Sequence, residues 1–145
     1  MLTIIKDIVF LQQRCEKIES LEEAQQIANQ LFKVLKNSPA GVGLAANQLG
    51  INKAVCVVNV DQPLWFMNPV LKFINEEKIQ FNEACLSFPK ITVTTERYKN
   101  ILVGADNYTN FKFFGSHNTL ECVCVQHEIC HLKGETMYDY EVKNE

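Results

Sequence analysis

QHEICHLKG, residues Gln126–Gly134, holds two of the chain's three histidines four positions apart. Residues at i and i+4 of a helix share a face, so His127 and His131 can grip one metal ion. The preceding sequence supports a helix from about Asn118 to Leu132. Asn118 and Glu121 make a capping-type pair, and Gly134 follows the end. Leu120, Val123, Cys124, His127 and His131 fall on one stripe. Core packing accounts for the first half of such a stripe; two histidines continuing it point to a divalent metal. Glu128, beside the first ligand, is placed to reach a water at the metal rather than the metal itself.

Two histidines leave a catalytic site one protein ligand short, because such sites usually keep three and an open position. In the extended pattern His-Glu-x-x-His-x-x-Gly-x-x-His the third histidine would fall at Met137. Glu135, Asp139 and Glu141 remain as acidic candidates. Among the six cysteines, Cys122, Cys124 and Cys130 share the helix with the histidines, and Cys15 and Cys56 read as small buried residues. Cys85, in NEACLSFPK (Asn82–Lys90), is expected between strand-like segments. Spacing alone does not single it out.

Working outward, Leu21–Lys36 reads as a helix: Ser20 and Glu23 form a capping box, and Leu21, Ala24, Ile27, Ala28, Leu31, Val34 and Leu35 recur at helical spacing. Between the two helices lie β-rich runs: Lys53–Val60, Trp65–Ile74 broken at Asn68-Pro69, Ile91–Tyr98, Ile101–Ala105 and Tyr108–Phe114. No helix-length segment separates them, so antiparallel pairing is expected. The fold class is α+β, with an N-terminal helix and antiparallel β-sheets around a central, metal-binding HExxH helix.

The chain has 145 residues, 47% hydrophobic and 21% charged, which suits one globular domain, residues 1–145, and excludes disordered and low-complexity classes. Its net charge of −3 offers no basic surplus for nucleic acid. No run approaches the roughly 18–20 apolar residues of a membrane span. The first twenty residues, with Lys6 and Asp7 interrupting a short apolar run, do not read as a signal peptide. A cytoplasmic location is expected, with the cysteines as thiols or ligands.

Three segments taken together resemble, in order and spacing, the signature motifs of peptide deformylases. GVGLAANQLG (Gly41–Gly50), EACLSFP (Glu83–Pro89) and QHEICHLKG match the patterns G-x-G-x-A-A-x-Q, E-G-C-L-S and Q-H-E-x-D-H. Asn68-Pro69 matches an Asn-Pro often found in the family, and the likeness runs from about Gly41 to Tyr140. Alone, GVGLAANQLG reads as a Gly-rich turn before a strand.

The resemblance implies a metallo-hydrolase that removes the formyl group from N-formylmethionine at the start of new polypeptides, releasing formate. It implies one divalent metal on Cys85, His127 and His131. That metal is usually Fe(II) in the cell; a thiolate ligand also suits Zn(II), Ni(II) or Co(II) in purified protein. Glu128 would move the water proton to the leaving amine. The Gln48 side-chain amide and the Leu86 backbone N–H would hold the oxyanion. Val42, Gly43, Leu120, Val123 and Cys124 would line the pocket for the methionine side chain.

The chain departs from the family at Cys130, where the pattern has Asp, and at Ala84, where it has Gly. Arg97 matches a family arginine whose partner is open between Glu83 and position 130. The sequence stops 14 residues after His131, short of the C-terminal helix with which bacterial relatives dock at the ribosome. This resembles phage forms, sets ribosome contact in question, and suits a bacterium or a phage-infected cell. Two competing readings are a catalytically silent, metal-bound formyl-peptide binding module, suggested by Cys130, and a zinc endopeptidase using Glu135 or Glu141.

Overall fold

A computed structural model describes residues 3–142. A single turn of helix, α1 (Ile8–Leu11), which the sequence did not announce, precedes α2 (Leu21–Lys36). Ser20 caps α2 by accepting from the Glu23 N–H at 3.1 Å, as its capping box predicts. Eight strands form among the described residues, two of them outside the expected runs. They are β1 (Gly43–Ala45), β2 (Val55–Asn59), β3 (Pro63–Met67), β4 (Val70–Phe73), β5 (Lys78–Cys85), β6 (Phe88–Tyr98), β7 (Ile101–Gly104) and β8 (Lys112–Phe114). Helix α3 (Thr119–Leu132) follows, with Asn118 accepting from the Glu121 N–H at 3.1 Å.

All pairings are antiparallel: one sheet in the order β1-β2-β3, a second in the order β4-β7-β8, and a two-stranded ribbon of β5 and β6. Strand β2 sits at the centre of the first sheet and is buried on both faces. Val55 and Val57 pack with Ala24, Ile27, Leu31 and Leu35 of α2. Cys56 and Val58 point the other way, into a cluster with Cys124, Val125 and Ile129 of α3. Alternation along an extended strand thus serves two cores at once. Helix α3 is buried at every residue from Glu121 to Leu132, so it is enclosed rather than amphipathic. This agrees with the expected α+β arrangement of antiparallel sheets around a central helix.

Three local expectations need correction. Tyr108–Phe114 is a strand only from Lys112, because Asn107 pins the preceding turn: its side chain accepts from the Met67 N–H at 2.9 Å and donates to the Trp65 carbonyl at 2.9 Å. Cys85 does not lie between strands but ends β5, whose exposed Gln80 and Asn82 and buried, charged Glu83 hid the pattern. The Gly-rich stretch at 41–50 is not a simple turn; β1 leads into a 3-10 helix, Ala46–Leu49, closed by Gly50 at φ +80°. The Asn68-Pro69 break is as expected. Asn68 has φ +48°, and its amide bonds both backbone groups of Ile18, at 3.0 and 2.6 Å.

Candidate metal centre

Helix α3 and the end of β5 bring three electron-pair donors together. Cys85 Sγ, one nitrogen of His127 and one of His131 lie within 4.8 Å of one another, and all three residues are buried. His131 Nε2 is 3.2 Å from His127 Nε2 and 3.4 Å from Cys85 Sγ. Tetrahedral coordination, with metal–sulfur near 2.3 Å and metal–nitrogen near 2.0–2.1 Å, separates two nitrogens by about 3.3 Å and sulfur from nitrogen by about 3.6 Å. The observed spacings fit one ion.

The tautomer of His127 fits as well. Its Nδ1 is 2.7 Å from Glu83 Oε1, and a carboxylate can only accept, so Nδ1 carries the proton and the Nε2 lone pair faces the other two donors. Glu83 in turn accepts from Arg97 Nε at 2.6 Å and Nη2 at 2.8 Å, and from the Thr95 hydroxyl. Burial alone would raise Glu83, but Arg97 and His127 outweigh it and hold the carboxyl at about 2. Of the two partners open to Arg97, Glu83 is the main one. Cys130 supplies a secondary contact, with its Sγ 3.4 Å from Nη1. His131 is fixed from the other side, its carbonyl accepting from Asn47 Nδ2 at 2.7 Å.

A cavity of about 490 Å³ opens above this group. Val42, Gly43, Leu120, Val123 and Cys124, the five residues expected to contact substrate, all line it. So do Gln48, Cys85, Leu86, His127 and Glu128, whereas His131 lies beneath, fully buried. Leu120 is 40% exposed and forms the rim. Phe81, Phe88 and Pro89 complete the wall from the β5–β6 side; sequence reasoning missed them because the ribbon's pairing was not legible.

Gln48 is held at both ends. Its Oε1 accepts from the Ala45 N–H at 2.9 Å, and its Nε2 donates to Ser87 Oγ at 3.0 Å and reaches Cys85 Sγ at 3.5 Å. Ser87 stands in the second motif but had been given no role. Glu128 is 3% exposed, and its Oε1 has no hydrogen-bond partner among the described residues. Burial pushes its carboxyl up to about 7 against the opposing pull of His127. Gly43 keeps space for the protein itself: a Cβ there would lie 2.6 Å from Glu128 Oε2 and 2.8 Å from Cys124 Sγ. Two of the three acidic residues considered as a third ligand have other partners. Glu135 accepts from the Tyr140 hydroxyl at 2.9 Å, and Asp139 accepts from the Thr136 N–H at 2.9 Å.

The family model for polypeptide deformylase matches residues 2–145. The chain belongs to the polypeptide deformylase family. A peptide deformylase of Cellvibrio japonicus is 36% identical over 123 residues, 82% of this chain and 72% of that protein. One from Aquifex aeolicus is 33% identical over 149 residues, 94% of this chain and 87% of the relative. Among solved structures, a probable peptide deformylase from synechococcus phage S-SSM7 is similar with TM-score 0.80 and 34% identity, covering 97% of this chain and 98% of that one. The Thermotoga maritima peptide deformylase aligns with TM-score 0.85 and 27% identity over 99% of this chain and 97% of that chain. Deformylases are metal-dependent hydrolases of the N-formyl group on new polypeptides, and this deformylase carries a Cys/His group able to hold the metal.

Proposed function

We propose that this chain, as one catalytic domain over residues 1–145, hydrolyses N-formylmethionyl nascent peptides with Cys85, His127 and His131 holding one divalent metal. Three buried donors at spacings that suit a single ion carry this reading. Fe(II) is the proposed metal in the cell, and the mixed thiolate–imidazole set also accepts Zn(II), Ni(II) or Co(II). When bound, such a metal supplies a water of strongly lowered pKa and polarises the formyl oxygen.

The chain's residues supply the rest. Glu128 takes the water proton; an unpartnered carboxylate oxygen and a pKa of about 7 suit a group that must accept and then return a proton near neutrality. The water oxygen bonds to the formyl carbon, the carbon–nitrogen bond breaks, and Glu128 delivers the proton to the departing amine. Formate and a free amino terminus result. The Gln48 amide, held by Ala45 and Ser87, and the Leu86 N–H donate to the oxyanion. Val42, Gly43, Val123 and Cys124, with Leu120 at the rim, receive the flexible thioether side chain.

No helix among the described residues is long and apolar enough to cross a membrane. A cytoplasmic site of action on nascent chains is proposed, in keeping with the substrate. The test is release of formate from a formyl-Met peptide by the Fe(II)-loaded protein under anaerobic conditions, with metal analysis of the same sample. Activity with one metal per chain is expected, and Cys85→Ala should lose the metal. Peptide binding without formate release would instead favour a silent binding module. Metal retained by Cys85→Ala would reopen the endopeptidase reading.

A further inference from the structure

The segment after α3 turns back towards the metal centre. Gly134, at φ +80°, reverses the chain, and the stretch that follows runs along β6: Val142 N–H donates to the Thr94 carbonyl at 2.8 Å, and Glu141 bridges Thr95. This brings the Tyr140 ring against the Arg97 guanidinium, whose central carbon is 4.2 Å from the ring centroid. The Tyr140 hydroxyl donates to Glu135 Oε1 at 2.9 Å, which fixes the ring.

Arg97 needs that contact. It is 2% exposed, so water cannot solvate its charge. Nε and Nη2 are satisfied by Glu83, but among the described residues Nη1 has only the Cys130 sulfur at 3.4 Å, a poor acceptor. The electron-rich face of an aromatic ring is the remaining stabilising contact for a planar, weakly hydrated cation. Any shift of the guanidinium is transmitted, because Glu83 Oε1 accepts from both Arg97 Nη2, at 2.8 Å, and His127 Nδ1, at 2.7 Å. One oxygen joins the braced arginine to the imidazole that faces Cys85 and His131.

We infer that Tyr140 is a positioning residue for His127, acting through Arg97 and Glu83 to hold the imidazole in its metal-binding orientation. The inference rests on the proposed metal role of His127. It makes the Glu135–Val142 segment part of the metal centre.

The test measures Zn(II) affinity by competition with a chromophoric chelator, together with the visible spectrum of the Co(II)-loaded protein. Tyr140→Phe keeps the ring and should bind within about twofold of the parent. Tyr140→Leu keeps apolar bulk without the ring face; affinity should fall ~10–100-fold, the range for residues that orient metal ligands, and the Co(II) bands should shift. Adding Cys130→Asp to Tyr140→Leu gives Nη1 a carboxylate and should restore most of the loss. Pentafluorophenylalanine at position 140, which keeps the shape but inverts the ring's polarity, should behave like Leu, and it decides the matter if Tyr140→Leu does not fold. A pentafluoro or Leu variant with unchanged affinity and spectrum overturns the inference, as does a Phe variant as weak as Leu. Should the unaltered protein bind no ion through Cys85, the metal reading falls and this inference falls with it; an unchanged Tyr140→Leu removes the inference alone.

Discussion

His127 Nδ1 on α3 and Glu83 Oε1 on β5 stand 2.7 Å apart, both side chains almost wholly buried. That bond decides which imidazole nitrogen is free to meet a cation. Glu83→Gln should therefore weaken metal binding by ~10–100-fold. It also leaves Arg97 buried without its counter-charge, a loss of about 3–5 kcal/mol. Chelator competition and urea unfolding of the metal-free protein measure the two effects separately. Loss of stability with unchanged metal affinity would show that the bond does not orient the ligand.

The same carboxylate makes a pH prediction. Glu83 is held at about 2 in the fold against an ordinary 4.5. A depressed carboxylate stabilises the fold fully above its unfolded value, and that contribution drains away as pH falls towards its folded value. The urea midpoint of the metal-free protein should drop steadily from about pH 5 to about pH 3, and Glu83→Gln should show a shallower dependence. Parallel curves would assign acid sensitivity to other groups.

Glu128 holds the catalytic proton in the proposed reaction. Glu128→Ala should reduce formate release by ~10²–10⁴-fold. Because the proposed metal ligands are untouched, one metal per chain should remain. Loss of metal in this variant would argue against a purely proton-transferring role.

Gly43 separates β1 from α3 where no Cβ fits. Gly43→Ala should overpack the contact with Glu128 and Cys124, lowering stability by about 1–3 kcal/mol. Since the displaced group is Glu128, formate release should fall further than the stability loss accounts for at a temperature where the variant remains folded. A stable, fully active Gly43→Ala protein would contradict this packing.

Gln48 and Ser87 form a graded pair. Gln48→Ala removes a proposed oxyanion donor and should cost ~10²–10³-fold in kcat. Ser87→Ala removes only the acceptor that orients the amide, a single hydrogen bond of about 0.5–1.5 kcal/mol, so a loss of roughly threefold to tenfold is expected. Equal losses in the two variants would mean that Ser87 itself meets the substrate.

Much of this was legible in the chain. His127, Glu128 and His131 follow from helical spacing, a local property that survives any tertiary arrangement. Helix α2 and the cap at Asn118 were readable for the same reason. Cys85 and Gln48 were reachable only through the motif resemblance, because Gln48 meets Cys85 across 37 positions of sequence and Cys85 meets His131 across 46. In the β5–β6 ribbon that aims Cys85, Ile91–Tyr98 was legible, but β5 alternates exposed polar residues with half-buried ones and a buried Glu83, so its pattern was too weak to read. The partner of Arg97 was also open in the sequence. A buried guanidinium takes the nearest anion, and only the folded chain shows that Glu83 occupies that place while Cys130 and the Tyr140 ring complete its surroundings. Local spacing determined the histidine pair; the tertiary fold alone decided what holds it in orientation, because those contacts join segments that the linear chain keeps far apart.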